Sequence, residues 1–178
     1  KEYFPGEVKD ASAPWKRLPP EKRPVRLLKD MRQTFAEIVN NNETDLFRNE
    51  RVRNFINGML AALGYRQDGN QAEDGGLTDP ISGKTIPVHY QVNDADGTPL
   101  LQVLASLSDG METGVLEDLA ENDSDDGGIS YEDYARMLFA DFNEPARWIL
   151  IMGLHQIALI DRRKWNDKKC MLFDLDEI

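Results

Sequence analysis

Residues 147–165 read RWILIMGLHQIALIDRRKW. Two short apolar segments, WILIMG and HQIALID, meet at Gly153-Leu154 and end in Arg162, Arg163 and Lys164 beside Trp165. Apolar runs of this length, rich in isoleucine and bounded by a glycine turn, are too short for buried helices and predict a hairpin of two buried strands. KKCMLFDL, residues 168–175, then predicts a third strand after the basic stretch. A sheet at the carboxy-terminal end is therefore the feature around which the rest of the chain has to be arranged.

Working backwards, Ser130 followed by Asp133 forms a capping-box signature for a helix with Tyr131, Tyr134, Ala135, Leu138 and Phe142 on one side, closed by Pro145. Residues 114–121 offer one or two helical turns. PLLQVLASL, residues 99–107, is apolar on both faces apart from Gln102, as a central strand requires. IPVHYQV, residues 86–92, alternates, which predicts a half-buried strand with Ile86, Val88, Tyr90 and Val92 on one face. Asn93-Asp94-Ala95-Asp96-Gly97 turns the chain between them.

Residues 43–65, ETDLFRNERVRNFINGMLAALGY, place Val52, Phe55, Ile56, Met59, Leu60 and Leu63 at helical spacing. Thr44 or Asp45 can cap that helix and Gly64 can end it. An earlier helix is expected from Pro24 to Asn40, with Leu28, Met31, Phe35, Ile38 and Val39 on one stripe. Residues 1–24 hold five prolines and predict an extended arm that Trp15 docks onto the body. The order helix, helix, strand, strand, helix and three strands predicts a mixed α/β (α+β) fold. One central mixed sheet is flanked by helices, in a single domain over 25–178.

Composition bounds the function. The chain has 178 residues, 40% hydrophobic, and a formal charge of −11. No apolar run is long enough to cross a membrane, and a soluble, cytoplasmic protein is expected. One cysteine and two histidines leave no material for a disulfide or a Cys/His zinc site, and Cys170 reads as a buried, inert thiol. His89 and His155 read as surface or satisfied histidines. Charge is uneven: residues 67–133 carry one cation and sixteen carboxylates, so a polyanion has to meet the ends of the chain. The start at lysine and the patterned end LFDLDEI suggest a piece of a longer protein.

RVRNFINGMLAALGY, IPVHYQVNDADGTPLLQVLASL and FNEPARWILIMGLHQIALIDRRKWNDKKCMLFDLDEI together resemble the amino-terminal region of large single-chain adenine-specific DNA methyltransferases of restriction-modification and phage-defence systems. The resemblance covers roughly residues 44–66, 86–107 and 139–178. It implies a restriction-endonuclease-like, PD-(D/E)xK nuclease-like domain ahead of a helical connector and a methyltransferase core. Such a nuclease site needs two carboxylates for a metal and a lysine two residues after the second. The corresponding strand offers Gln102, Val103 and Leu104 instead. Asp94 and Asp96 are the remaining acidic candidates, and they are equally good turn chemistry. A degenerate, non-cutting domain is expected.

Neither a glycine-rich cofactor loop nor an Asn-Pro-Pro-Tyr motif is present, so no cofactor is expected in these residues. S-adenosylmethionine, and Mg2+ if any, would belong to the parent protein. Expected partners are DNA and a methyltransferase domain downstream in cis, with no membrane.

Two charged stretches are the candidate binding sites. In RRKWNDKKC, Arg162, Arg163, Lys164, Lys168 and Lys169 surround Trp165, and cations on phosphates with an aromatic against sugar or base would bind DNA. Lys16, Arg17, Lys22 and Arg23 of the arm would add to it. The competing reading is a solvated turn whose tryptophan covers the sheet end while Asp161 and Asp167 pair locally. In NDSDDGGISYED, Asn122, Ser124, Asp126 and Asp133 fall at positions 1, 3, 5 and 12 of a calcium-binding loop, which gives the rival reading of a calcium-binding or protein-interaction module. Asn at the first position and Asp at the twelfth depart from that pattern, and capping by Ser130 and Asp133 accounts for the same residues.

Overall fold

The computed structural model describes residues 13–40, 45–65, 76–108, 114–119 and 128–176. Five strands, β3 (Val88–Asn93), β4 (Pro99–Ala105), β5 (Trp148–Met152), β6 (Gln156–Asp161) and β7 (Cys170–Asp174), form one sheet in that order. β4 and β5 are parallel and every other pair is antiparallel, so the sheet is mixed. A separate two-stranded sheet, β1 (Leu77–Thr78) with β2 (Thr85–Ile86), leads into it.

The parallel pair demands a crossover, and α4 (Tyr131–Ala140) supplies it on one face. Ile149, Ile151, Ala158, Ile160 and Leu104 point to that face and bury Tyr134, Ala135 and Leu138. Successive strand residues point the other way. Leu101, Val103, Leu150 and Met152 therefore meet Phe55, Ile56, Met59 and Leu60 of α3 (Asp45–Ala62) on the opposite face. The strands of the central region are apolar on both faces because both are covered. The result is a three-layer arrangement of helices, sheet and helix.

Local signals account for most element ends. Ser130 Oγ accepts the Asp133 amide at 3.1 Å, as the capping box predicts, and its hydroxyl donates to Asp133 Oδ2 at 3.0 Å. Gly64, with φ of 87°, ends α3, and the Tyr65 amide donates back to the Leu60 carbonyl at 2.9 Å. Thr44 and the side chain of Asp45, the other proposed caps, lie outside the described residues.

Four expectations change. The single helix from Pro24 to Asn40 is two, α1 (Pro24–Asp30) and α2 (Arg32–Asn40). Met31 closes a tight turn on the Leu28 carbonyl at 3.1 Å, which lets both halves follow the curve of the core. The arm is not extended over its described part: residues 13–17 are helical and Pro20–Lys22 is a 3-10 turn, with Pro20 in the first position where its missing amide costs nothing. Ile86 and Val88 do not share a face with Tyr90 and Val92, because a bulge between Val88 and Tyr90 inserts one residue. Within 114–119 the chain makes only a turn on the Gly114 carbonyl, held by the Leu119–Ser130 bridge rather than by a helix.

Two aspartates, the buried Asp79 and the partly exposed Asp133, tie the fold to pH. The Arg136 guanidinium, then the Ser130 hydroxyl, hold the Asp133 carboxyl below the ordinary value of 3.8. The Ser82 hydroxyl, then the Ser82 and Ile81 amides, do the same for Asp79. Lowered folded values mean the unfolded chain binds more protons in acid. The contribution is full above about pH 4 and disappears as pH falls through the folded values. A melting series from neutral to acid pH should show that fall, and Asp133→Asn should make it shallower; an unchanged profile would contradict the capping box as an ionised device.

Candidate functional site

The basic stretch sits where β6 turns into β7. It is a single helical turn, α5 (Arg162–Trp165), rather than the open loop expected. Asp161 caps it: its Oδ1 accepts the Arg163 amide at 3.0 Å. At the other end Trp165 packs edge-on against Phe139 of α4, with centroids 6.0 Å apart. Cap and indole fix the turn at both ends, and Arg162, Arg163 and Lys164 remain exposed between them.

Asp161 has a second task. It is buried and lies 3.8 Å from Arg147, the residue before β5, whose guanidinium stacks on Trp148 at 4.8 Å. Lys168 and Lys169 follow the turn and are exposed, Lys169 lying 3.6 Å from Asp167. The local pairing that the competing reading asked of Asp161 and Asp167 is thus present, and so is the tryptophan on the end of the sheet. Arg162, Arg163 and Lys164 of α5 are solvent-exposed beside them.

In the arm, Lys16, Arg17, Lys22 and Arg23 are exposed, but Arg23 donates to the carbonyls of Leu18 and Lys16 at 3.1 and 3.2 Å. Its guanidinium therefore braces the arm. Trp15 lines a groove of about 590 Å³ on the α3 face, with Phe35, Leu101, Leu150, Phe173 and Leu175. α5 packs instead against α4 on the opposite face, so arm and basic turn are not brought together.

Asp94 and Asp96 lie in the turn between β3 and β4, at the same end of the sheet as α5 and about three strand spacings away, roughly 14 Å. Asp94 Oδ1 accepts the Asp96 and Thr98 amides, both at 3.0 Å. Its carboxylate closes the turn. Gln102, at the position where a nuclease would need an acid, is buried opposite Gln91 and Ile149 and donates to Gln91 Oε1 at 2.9 Å. Leu104 faces Val88 and Ile151. No group of three or more His, Cys, Asp or Glu among the described residues could hold a metal. Asn122, Ser124 and Asp126 lie outside the described residues, while Asp133 serves the cap and pairs with Arg136 at 2.7 Å.

Three features escaped the sequence reading. At the carboxyl ends of the parallel pair, Ser106 Oγ donates to the buried Asp118 at 2.8 Å and pins the crossover to the sheet. His155 is buried, donates from Nδ1 to Asp176 at 2.9 Å, and meets Phe35 edge-on at 5.6 Å. The hairpin register carried that signal, since the Leu175 amide donates to the His155 carbonyl at 2.8 Å and so brings the next residue alongside. The third feature is the groove itself, which needed knowledge of how far α3 covers the sheet. Cys170, read as buried, is only partly buried; desolvation, then Glu132, still pushes its thiol above the ordinary value.

Comparison with known protein families, curated proteins and solved structures finds no match for this chain. No helix among the described residues is long and apolar enough to cross a membrane.

Proposed function

We propose that this chain is a DNA-positioning domain that neither cuts nor methylates, of the kind its resemblance places ahead of the catalytic core of adenine-specific DNA methyltransferases. S-adenosylmethionine chemistry, and Mg2+ where used, would belong to that core, joined in cis. The observation that carries the reading is α5: three adjacent exposed cations on a turn fixed at one end by Asp161 and at the other by Trp165. A fixed cationic turn loses less side-chain and backbone freedom on meeting phosphate than a mobile loop. With −11 overall, only a local, oriented patch can hold a polyanion, and contact with phosphates alone carries no sequence information.

The experiment is a titration of labelled duplex DNA at low salt with the chain and its Arg162→Ala/Arg163→Ala/Lys164→Ala variant. The variant should bind about tenfold or more weakly at an unchanged melting temperature. Equal affinity would remove α5 as the contact. Cleavage of plasmid DNA by the chain with magnesium would overturn the non-catalytic half of the reading.

A further inference from the structure

β7 is the last strand of the sheet and, among the described residues, pairs only with β6. The hydrogen bond from the Leu175 amide to His155 fixes which of its groups are used. In an antiparallel ladder the inward residues alternate, so Met171, Phe173 and Leu175 bond to β6. The N–H and C=O groups of Cys170, Leu172 and Asp174 point away from the sheet.

Free edges are normally blunted by charges, prolines or bulges. The other edge, β3, has two register irregularities and the polar residues His89, Gln91 and Asn93. β7 has an unbroken register and the uncharged run Cys170-Met171-Leu172-Phe173, with Leu172 55% and Phe173 45% exposed. Its two ends carry opposite charge: Lys168 and Lys169 precede it, and Asp174 and Asp176 close it.

The geometry points to a second copy of this chain as the occupant of the edge, the two β7 strands pairing antiparallel about a twofold axis at Leu172 into one ten-stranded sheet. That register sets Leu172 against its own copy and Cys170 against Asp174, so all three outward residues exchange both backbone hydrogen bonds. It also brings the end preceded by Lys168 and Lys169 in one copy to the end closed by Asp174 and Asp176 in the other, twice by symmetry. A parallel pairing would juxtapose like charges. The α5 cations are not consumed, and the dimer is independent of DNA.

Sedimentation equilibrium tests this on the 20.2 kDa chain. A species of twice that mass should grow in with concentration up to about 100 µM. Leu172→Pro removes the central outward N–H without breaking a bond to β6, and should be monomeric with unchanged circular dichroism. A Lys168→Asp/Lys169→Asp chain and an Asp174→Lys/Asp176→Lys chain should each be monomeric alone and dimerise when mixed, because only the mixed pair restores opposite charges at both ends. A wild-type chain that stays monomeric throughout overturns the proposal. So does a dimer that survives Leu172→Pro, or folded charge-swapped chains that do not combine.

Discussion

Replacing Ile151 by alanine is expected to destabilise the fold by about 3–4 kcal/mol, measured as a lower urea midpoint at an unchanged slope. Ile151 lies in the middle strand with no solvent exposure, opposite Leu104 on one side and Ala158 on the other. Tyr134 and Leu138 of α4 belong to the same buried cluster. The hole left by three carbons at such a site cannot collapse without moving a strand or the helix. Folded domains of this size are stable by only about 5–15 kcal/mol, so the variant loses a large fraction of the total. Ile81→Ala, at a position 75% exposed, is the control and should cost under about 0.5 kcal/mol. A loss below about 1 kcal/mol at Ile151 would mean that the α4 face is not closed as described.

Asp161→Ala should cost about 2 kcal/mol and also weaken DNA binding, although the residue contacts no DNA in this account. About 1 kcal/mol comes from the lost cap of α5. The rest comes from Arg147, whose Nε is buried without a hydrogen-bond partner and whose nearest carboxylate would disappear. Asp161→Asn keeps an oxygen for the Arg163 amide and should recover most of the cap but not the charge pairing. Thermal melting of both variants, beside DNA titrations, separates the two contributions. If Asp161→Ala melts like the parent and binds DNA equally well, α5 is not held by its cap.

The sheet was legible because its residues obey a short-range rule. Trp148–Met152, Gln156–Asp161 and Cys170–Asp174 are apolar runs bounded by Gly153 or by charge, and they became adjacent strands as their spacing predicts. Ser130 and Asp133 were legible for the same reason, since a cap involves residues three apart. What could not be read depended on contacts distant in sequence. The bulge at β3 moves Tyr90 and Val92 to the α3 face, a decision made by packing on Leu101 and Phe55 that strict alternation over residues 86–92 conceals. The break at Met31 follows the shape of the helical layer, and the stripe Leu28, Met31, Phe35 looks continuous without it.

At the candidate site the cations were visible as a cluster, but their fixing was not. The cap on Arg163 is local, whereas Phe139, which anchors Trp165, comes from the far side of the crossover. The separation of the arm from α5 was hidden for a related reason. Proline content indicated a stiff segment, but only the tertiary arrangement shows that it lies along the α3 face, away from α5. The acidic residues Asp94 and Asp96, weighed as metal ligands or turn formers, have the hydrogen bonds of the latter.

The salt dependence of duplex binding tests the central claim most directly, because it counts phosphate contacts rather than inferring them. A plot of log affinity against log salt loses about 0.9 in slope for each phosphate contact removed. The account predicts a slope shallower by about 2–3 for the chain lacking the three α5 cations than for the parent. An identical slope in the two chains would contradict it.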